Sequence, residues 1–296
     1  MTVPPNKTFV MRLDGVSFHV FTRGIRKPFD ERLRMSLVRT TEDLVTKFQA
    51  SLGYAQSDEI SLVFPRAMND QEWNAWQEWE AWEASRATRM DLDDHRPRKR
   101  PVNRTHSYNG RVAKLLTVVS SYASARFNYY MANDDWSDLA PAVIEKVTSH
   151  TAMFDNRLII CDQMEQAMEC IFWRSNLDGL RNAINAVAQS LFKAKELQKK
   201  SIVEVSELLK NNFSIEVFRD IPQEYLFGTF IKKEIYELQN VKDWKTGEIL
   251  TTPVQRSRLR KGSFNWAEWS PENRTLFTAS KHWTDGGPES PPKTPL

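Results

Sequence analysis

The sequence predicts an α+β fold in which helices pack on an antiparallel sheet. Two short apolar runs of strand length, residues 8–13 and 60–64, each adjoin an acidic residue, Asp14 and Asp58. A long run with helical spacing lies between them, and further long helical runs follow from residue 111 onward. Strand-length and helix-length segments interleaved in this way indicate a layered fold with one core.

The elements follow in order. Thr8 to Leu13 reads as a strand that ends at Asp14. Pro28 to Leu52 reads as a helix, with Pro28 in its first turn and Leu33, Leu37, Leu44, Phe48 and Leu52 at helical spacing. Gly53 is the expected stop, and Tyr54-Ala55-Gln56 leads into an acidic turn. Ile60 to Phe64 is the strand that leaves it. Arg111 to Met131 reads as a second long helix, and Leu158 to Cys161 as a strand. Two helical stretches between Gln163 and Lys200 break near Ser175–Gly179, and residues 202–217 read as a helix and a short strand. Strand, helix, then a hairpin with carboxylates at its tip is the order of a palm-type polymerase core.

Asp14 and Asp58 sit at strand ends, where two neighbouring carboxylates can hold two Mg²⁺ ions. Such a pair clamps the attacking and leaving oxygens of a phosphoryl transfer. Mg²⁺ favours one or two carboxylates with phosphates and water over a full protein cage. Asp-Gly and Ser-Asp are also common turn dipeptides, so either residue alone is compatible with a plain turn.

Composition narrows the class. The chain has 296 residues, with 41% hydrophobic and 27% charged residues, ordinary values for a globular protein. No run approaches a membrane span and no secretory apolar region follows Met1. Cys161 and Cys170 are too few for a zinc site or a disulfide framework, so reduced thiols and a cytoplasmic location are expected. A net charge of +3 means that any nucleic-acid surface must be local.

A series of motifs carries a family resemblance. Arg12-Leu13-Asp14-Gly15, Phe18-His19, Phe21-Thr22-Arg23-Gly24, Lys27-Pro28-Phe29-Asp30-Glu31 and Gln56-Ser57-Asp58-Glu59-Ile60-Ser61 follow one another. Gly110-Arg111 with Lys114, Phe154-Asp155 with Arg157, Trp173-Arg174, Asp178 and Arg181-Asn182 come next. Ala188-Gln189-Ser190, Lys195-Glu196-Leu197 and Gly228-Thr229 complete the order. The series resembles the tRNA-His guanylyltransferase superfamily over roughly residues 8–65 and 110–235, and within it the guanylyltransferase-like branch of 3′–5′ polymerases. The tRNA-His-specific enzymes carry a His-Ile-Asn-Asn motif where this chain reads Leu180-Arg181-Asn182-Ala183. One extra residue also separates Arg174 from Asp178 relative to that pattern.

The resemblance implies a palm-type, ferredoxin-like polymerase or cyclase core at 1–65 and 110–235. It implies that Asp14 and Asp58 bind two Mg²⁺ ions with the Gly15 carbonyl, and that Glu59 matters for catalysis from the other face of its strand. Arg12, His19, Lys27, Ser57, Arg111, Lys114, Asp178 and Asn182 are implied nucleotide contacts, with Arg181 near the RNA 5′ end. Asp178 is expected to cap a helix, Arg111 and Lys114 to share a first turn, and Trp173 to be core. The substrates implied are ATP, GTP or other NTPs and the acceptor stem of tRNA, and the assembly implied is a dimer of dimers. Templated repair of the tRNA 5′ end is the activity expected. Addition of G at position −1 of tRNA-His is the alternative, and a non-catalytic RNA-binding protein on a drifted palm is a second.

Residues 66–109 lie outside the family pattern and read as an insertion. Trp73, Trp76, Trp79 and Trp82 recur every third residue among acidic neighbours. They form either a helix packing on the main domain or another subunit, or a stacking surface for unpaired bases. Arg96, Arg98, Lys99, Arg100 and Arg104 follow, with Pro97 and Pro101 excluding a helix; they read as a solvated loop or as a phosphate-contacting arm. Residues 236–285 form a basic C-terminal region in which Arg256, Arg258, Arg260 and Lys261 are expected along a strand that tracks RNA. The Pro/Gly-rich residues 286–296 are expected to be disordered.

Overall fold

The computed structural model describes residues 1–88, 98–242, 245–249 and 252–284. Arg96 and the 286–296 tail lie outside the described residues. Six antiparallel strands form one sheet in the order β4-β1-β3-β2-β5-β6. They are β1 (Thr8–Gly15), β2 (Leu52–Gln56), β3 (Glu59–Phe64), β4 (Phe154–Cys161), β5 (Thr229–Leu238) and β6 (Val254–Gly262).

Alternation along β1 divides the core in two. Phe9, Met11 and Leu13 face helices α1 (Glu31–Phe48) and α3 (Val112–Ala132), where Leu37, Leu44, Leu115 and Phe127 are buried. Val10 faces the other way, with Tyr54, Val63 and Phe230, under α4 (Met164–Phe172) and α7 (Pro271–Ala279). A third cluster joins α5 (Leu180–Leu191) to α6 (Ile202–Phe213). Among the described residues no helix is long and apolar enough to cross a membrane.

Several boundaries differ from the sequence reading. Helix α1 begins at Glu31, because the Asp30 side chain accepts from the Arg32 amide at 3.0 Å as its cap. It ends at Phe48 with Gln49 at φ +58°, so Leu52 and Gly53 belong to β2. Gly53 serves packing: a Cβ there would lie 2.5 Å from Val45 Cγ2 and 2.8 Å from Thr41 Cγ2. Residues 52–56 are buried on both faces, which erases the alternation that distinguishes a strand from a helix. Arg111 caps α3 from an extended backbone, and β4 starts four residues before Leu158, at Phe154.

The stretch near Ser175–Gly179 is continuous helix. Residues Trp173–Gly179 widen to π-type turns between α4 and α5, and Phe172, Gly179 and Leu180 all keep right-handed helical angles. Asp178 therefore lies inside a helix and caps nothing, since a cap needs an extended backbone. A π turn absorbs one additional residue, which matches the extra residue between Arg174 and Asp178. The strand expected before residue 217 is absent: Ser214 closes α6 with φ +58°, and Val217–Asp220 is a helical turn.

Within residues 66–109, Asp70–Thr88 form helix α2. Trp76 is buried, and its neighbours are covered by the basic stretch that follows. Arg100 lies 5.1 Å from the Trp76 ring centre and 5.2 Å from that of Trp79, and Arg98 lies 5.4 Å from that of Trp82. Arg104 meets Glu72 at 3.5 Å. In β6, Arg256, Arg258 and Arg260 share a face opposite β5, where Arg258 and Arg260 meet Glu234 at 2.8 and 2.9 Å. Lys261 pairs with Glu42 at 3.0 Å.

Candidate active site

Strands β1 and β3 place Asp14 opposite Glu59, and the Gly15 amide donates to the Asp58 carbonyl at 2.9 Å. The Ser57-Asp58 turn is tight, with Ser57 at φ +57°. Gly15 is required where β1 turns, because a Cβ there would meet the Phe18 ring at 2.3 Å. Burial pushes the Asp58 carboxyl up, and the Asp14 charge pushes it further. The Asp14 charge therefore reaches the Asp58 carboxyl across the hairpin.

Glu59 is buried, and burial raises its carboxyl against the pull of its cations. Arg174 donates to it from Nε at 2.8 Å and from Nη2 at 2.5 Å, while Arg12 Nε lies 3.8 Å away. The other edge of Arg174 meets Asp178, which also meets Arg181 at 3.0 Å. Glu59 thus anchors the hairpin to the π-turn segment and shares a sheet face with Arg12 and Ser61.

A cavity of about 340 Å³ opens beside Asp58 on the α1 side of the hairpin. His19, Lys27, Ser57, Asp58 and Asn182 line it together, and Leu33, Leu37, Ala183 and Ala186 give it apolar walls. Phe29 stacks on Tyr225 at 4.1 Å, and Arg34, Glu31 and Tyr225 are linked beside them. The Gln56 amide closes the floor by donating to the carbonyls of Tyr225 and Leu226 at 2.9 and 3.0 Å.

Five of the expected nucleotide contacts or metal ligands thus share one cavity, and Arg12 and Asp178 join through Glu59 and Arg174. Arg111 and Lys114 do not meet there. They open α3 beside Thr2 and Val3, whereas Phe127, about 24 Å further along the helix, meets Phe18 and Phe154 beside Gly15. Trp173, expected in the core, is 58% exposed because it points out of the π-turn segment. Sequence reasoning gave Arg174 and Gln56 no role. The four-residue spacing of Arg174 and Asp178 was a visible signal for the first; Gln56 had none.

The acidic pair fits a hard divalent cation. Two carboxylates and a carbonyl are oxygen donors, and no cluster of three His, Cys, Asp or Glu occurs among the described residues. Such a set suits Mg²⁺ completed by phosphates and water.

Residues 1–162 match the family described as tRNAHis guanylyltransferase. The chain belongs to that family. An uncharacterized protein of Acanthamoeba polyphaga mimivirus is 32% identical over 246 residues, 81% of this chain and 75% of that protein. A probable tRNA(His) guanylyltransferase of Drosophila melanogaster is 24% identical over 245 residues, 79% of this chain and 69% of that one. In fold, the chain is similar to a bacterial tRNA(His) guanylyltransferase-like protein in complex with ATP. That likeness has TM-score 0.58 and 24% identity over 79% of this chain and 81% of the other. The tRNA(His) guanylyltransferase of Saccharomyces cerevisiae is similar at TM-score 0.53 and 18% identity, over 78% of this chain and 87% of that one. As a member of the tRNAHis guanylyltransferase family, the chain is a nucleotidyltransferase with a palm-type core.

Proposed function

We propose that this nucleotidyltransferase adds nucleotides to the 5′ end of tRNA in the 3′-to-5′ direction, reading the opposite strand of the acceptor stem. The observation that carries the reading is the junction of a nucleotide-sized cavity with the acid-tipped hairpin, both sharing Asp58. The tRNA(His) guanylyltransferase relatives support tRNA as acceptor, and the ATP complex of the bacterial protein supports a nucleoside triphosphate in this cavity.

Asp14, Asp58 and the Gly15 carbonyl would hold Mg²⁺, which supplies charge neutralisation for in-line phosphoryl transfer. The chain's own residues orient the substrates. Lys27 offers its ammonium to the triphosphate, and Ser57 and Asn182 offer hydrogen bonds beside it. Arg12 and Arg174 pull against the burial that raises the Glu59 carboxyl, and the grip of Arg174 on Glu59 fixes the hairpin that carries Ser57 and Asp58. In the first displacement a 5′-monophosphate oxygen attacks the α-phosphorus of ATP and releases pyrophosphate. In the second, the 3′-hydroxyl of an incoming NTP attacks the activated 5′-phosphorus and releases AMP. Leu180-Arg181-Asn182-Ala183 in place of His-Ile-Asn-Asn favours templated addition over dedicated G addition.

The test is a 5′-³²P-labelled tRNA lacking its first nucleotide, incubated with ATP, four NTPs and Mg²⁺. Extension that follows the opposing base and is lost in Asp14→Ala is the expected result. Addition of G whatever the opposing base would replace this reading with G addition at −1. No product from the wild type would leave RNA binding alone.

A further inference from the structure

The register of the sheet places a row of acids and, behind it, a row of bases on one face. Asp14 stands opposite Glu59 in β3 and Asp155 in β4, and Arg12 stands opposite Ser61 and Arg157. Arg12 and Asp14 are two residues apart in one strand, so both rows project to the α4 side. Like charges directly opposite each other repel. Arg12 and Arg157 are directly opposite, and each only leans toward an acid, at 3.8 Å for Glu59 and 3.6 Å for Asp155. The Arg12 Nε is buried with no hydrogen-bond partner among the described residues.

Arg12 borders a cavity of about 540 Å³ between β1, β4 and α4, which Ser61, Ile159, Trp173 and Arg174 also line, and Arg157 stands beside Arg12 in the neighbouring strand. Asp162 at its far end is tied to Lys7 at 2.7 Å, and Glu169 stands on its helix wall. A phosphate is therefore favoured at the Arg12 end, with Arg157 next to Arg12 in register. Trp173 presents its exposed ring one residue before Arg174, the residue that grips Glu59. The nucleotide cavity lies on the other side of the sheet, so the acidic hairpin stands between two cavities. A transfer between two substrates needs such a pair.

We propose that this second cavity seats the 5′-phosphorylated end of the acceptor RNA, with its phosphate on Arg12 and Arg157 and its terminal base stacked on Trp173. The assignment rests on the nucleotidyl transfer proposed above. Stacking on an indole ring accepts any base, and the cations contact only phosphate, so the site positions the strand without reading it.

The probe is an RNA hairpin with a single-stranded 3′ overhang, prepared with a 5′-phosphate and with a 5′-hydroxyl. RNA affinity, ATP affinity and extension are measured for wild type, Trp173→Ala, Trp173→Phe and Arg157→Ala. Trp173→Ala is expected to weaken RNA binding by roughly 5–100-fold and Trp173→Phe to restore most of it. Arg157→Ala is expected to erase the preference for 5′-phosphate, and ATP affinity stays unchanged in all three. Unchanged RNA affinity in both alanine variants, or an equal loss for ATP, overturns the assignment while wild-type extension leaves the proposed function standing. Wild-type protein that neither binds nor extends the hairpin overturns both.

Discussion

Arg174 grips Glu59 along one edge of its guanidinium, at 2.8 and 2.5 Å, across the junction between the π-turn segment and the acidic hairpin. Both ends of this contact are withdrawn from water, with side-chain exposures of 23% and 8%. Breaking a buried pair by removing one partner costs about 3–5 kcal/mol, because the other charge stays buried and unpaired. Arg174→Ala should therefore destabilise the protein strongly in urea titrations. Adding Glu59→Gln to that variant should restore part of the loss. A double variant no more stable than Arg174→Ala would show that the pair does not carry the effect.

Asp58 is held in conflict with its surroundings, a conflict that the cation proposed above would relieve. Burial and the Asp14 charge both raise its carboxyl. Asp58→Asn should therefore raise the melting temperature in chelator-treated protein. The same change should abolish nucleotide transfer. It should also remove the stabilisation that Mg²⁺ gives the wild type, as read by thermal shift. A variant that melts lower than wild type without divalent ions would contradict the account.

How much of this was legible in the sequence depends on the range of each interaction. The strand ends at Asp14 and Asp58 were legible, because apolar runs and turn dipeptides are local signals. His19, Lys27, Ser57 and Asn182 were named only through the family resemblance, and the fold is what brings them to one cavity. Gly53 was misread as a stop, since its reason is the approach of Val45 and Thr41 from a helix packed across it. Asp178 was misread as a cap because the sequence gives no sign that the helix widens through it. The arginines that cover the tryptophans of α2 read as candidates for phosphate, since only the fold shows that Arg98 and Arg100 lie on the indole rings.

Gly179 marks the tightest approach in the site. A Cβ there would lie 1.7 Å from Gln56 Oε1, whose amide supports the Tyr225 and Leu226 carbonyls. Gly179→Ala should displace Gln56 and cost about 1–3 kcal/mol in stability, typical of overpacking. Because Gln56 floors the nucleotide cavity, the Michaelis constant for NTP should rise more than that for RNA. Steady-state kinetics with each substrate varied in turn checks this. Equal changes in both constants would point to general loosening of the hairpin.

Lys232 ties the last helix to the sheet and should leave a signature in the pH dependence of folding. It is fully buried, and its ammonium donates to the carbonyls of Phe277 and Ser280 beneath α7. Burial pulls its pKa down to about 7 from an ordinary 10.5. Between these values the unfolded chain carries a proton that the folded chain has released, so stability rises with pH across that window. Below about pH 7 both states are protonated and the slope from this residue vanishes. Lys232→Met should remove the rise, so the stability of wild type relative to the variant should grow from pH 7 to 10. The steepest possible growth is about 1.4 kcal/mol per pH unit. Chemical denaturation of both proteins at four pH values measures it. A constant difference would mean that Lys232 stays charged in the fold, stabilised by the two carbonyls it donates to.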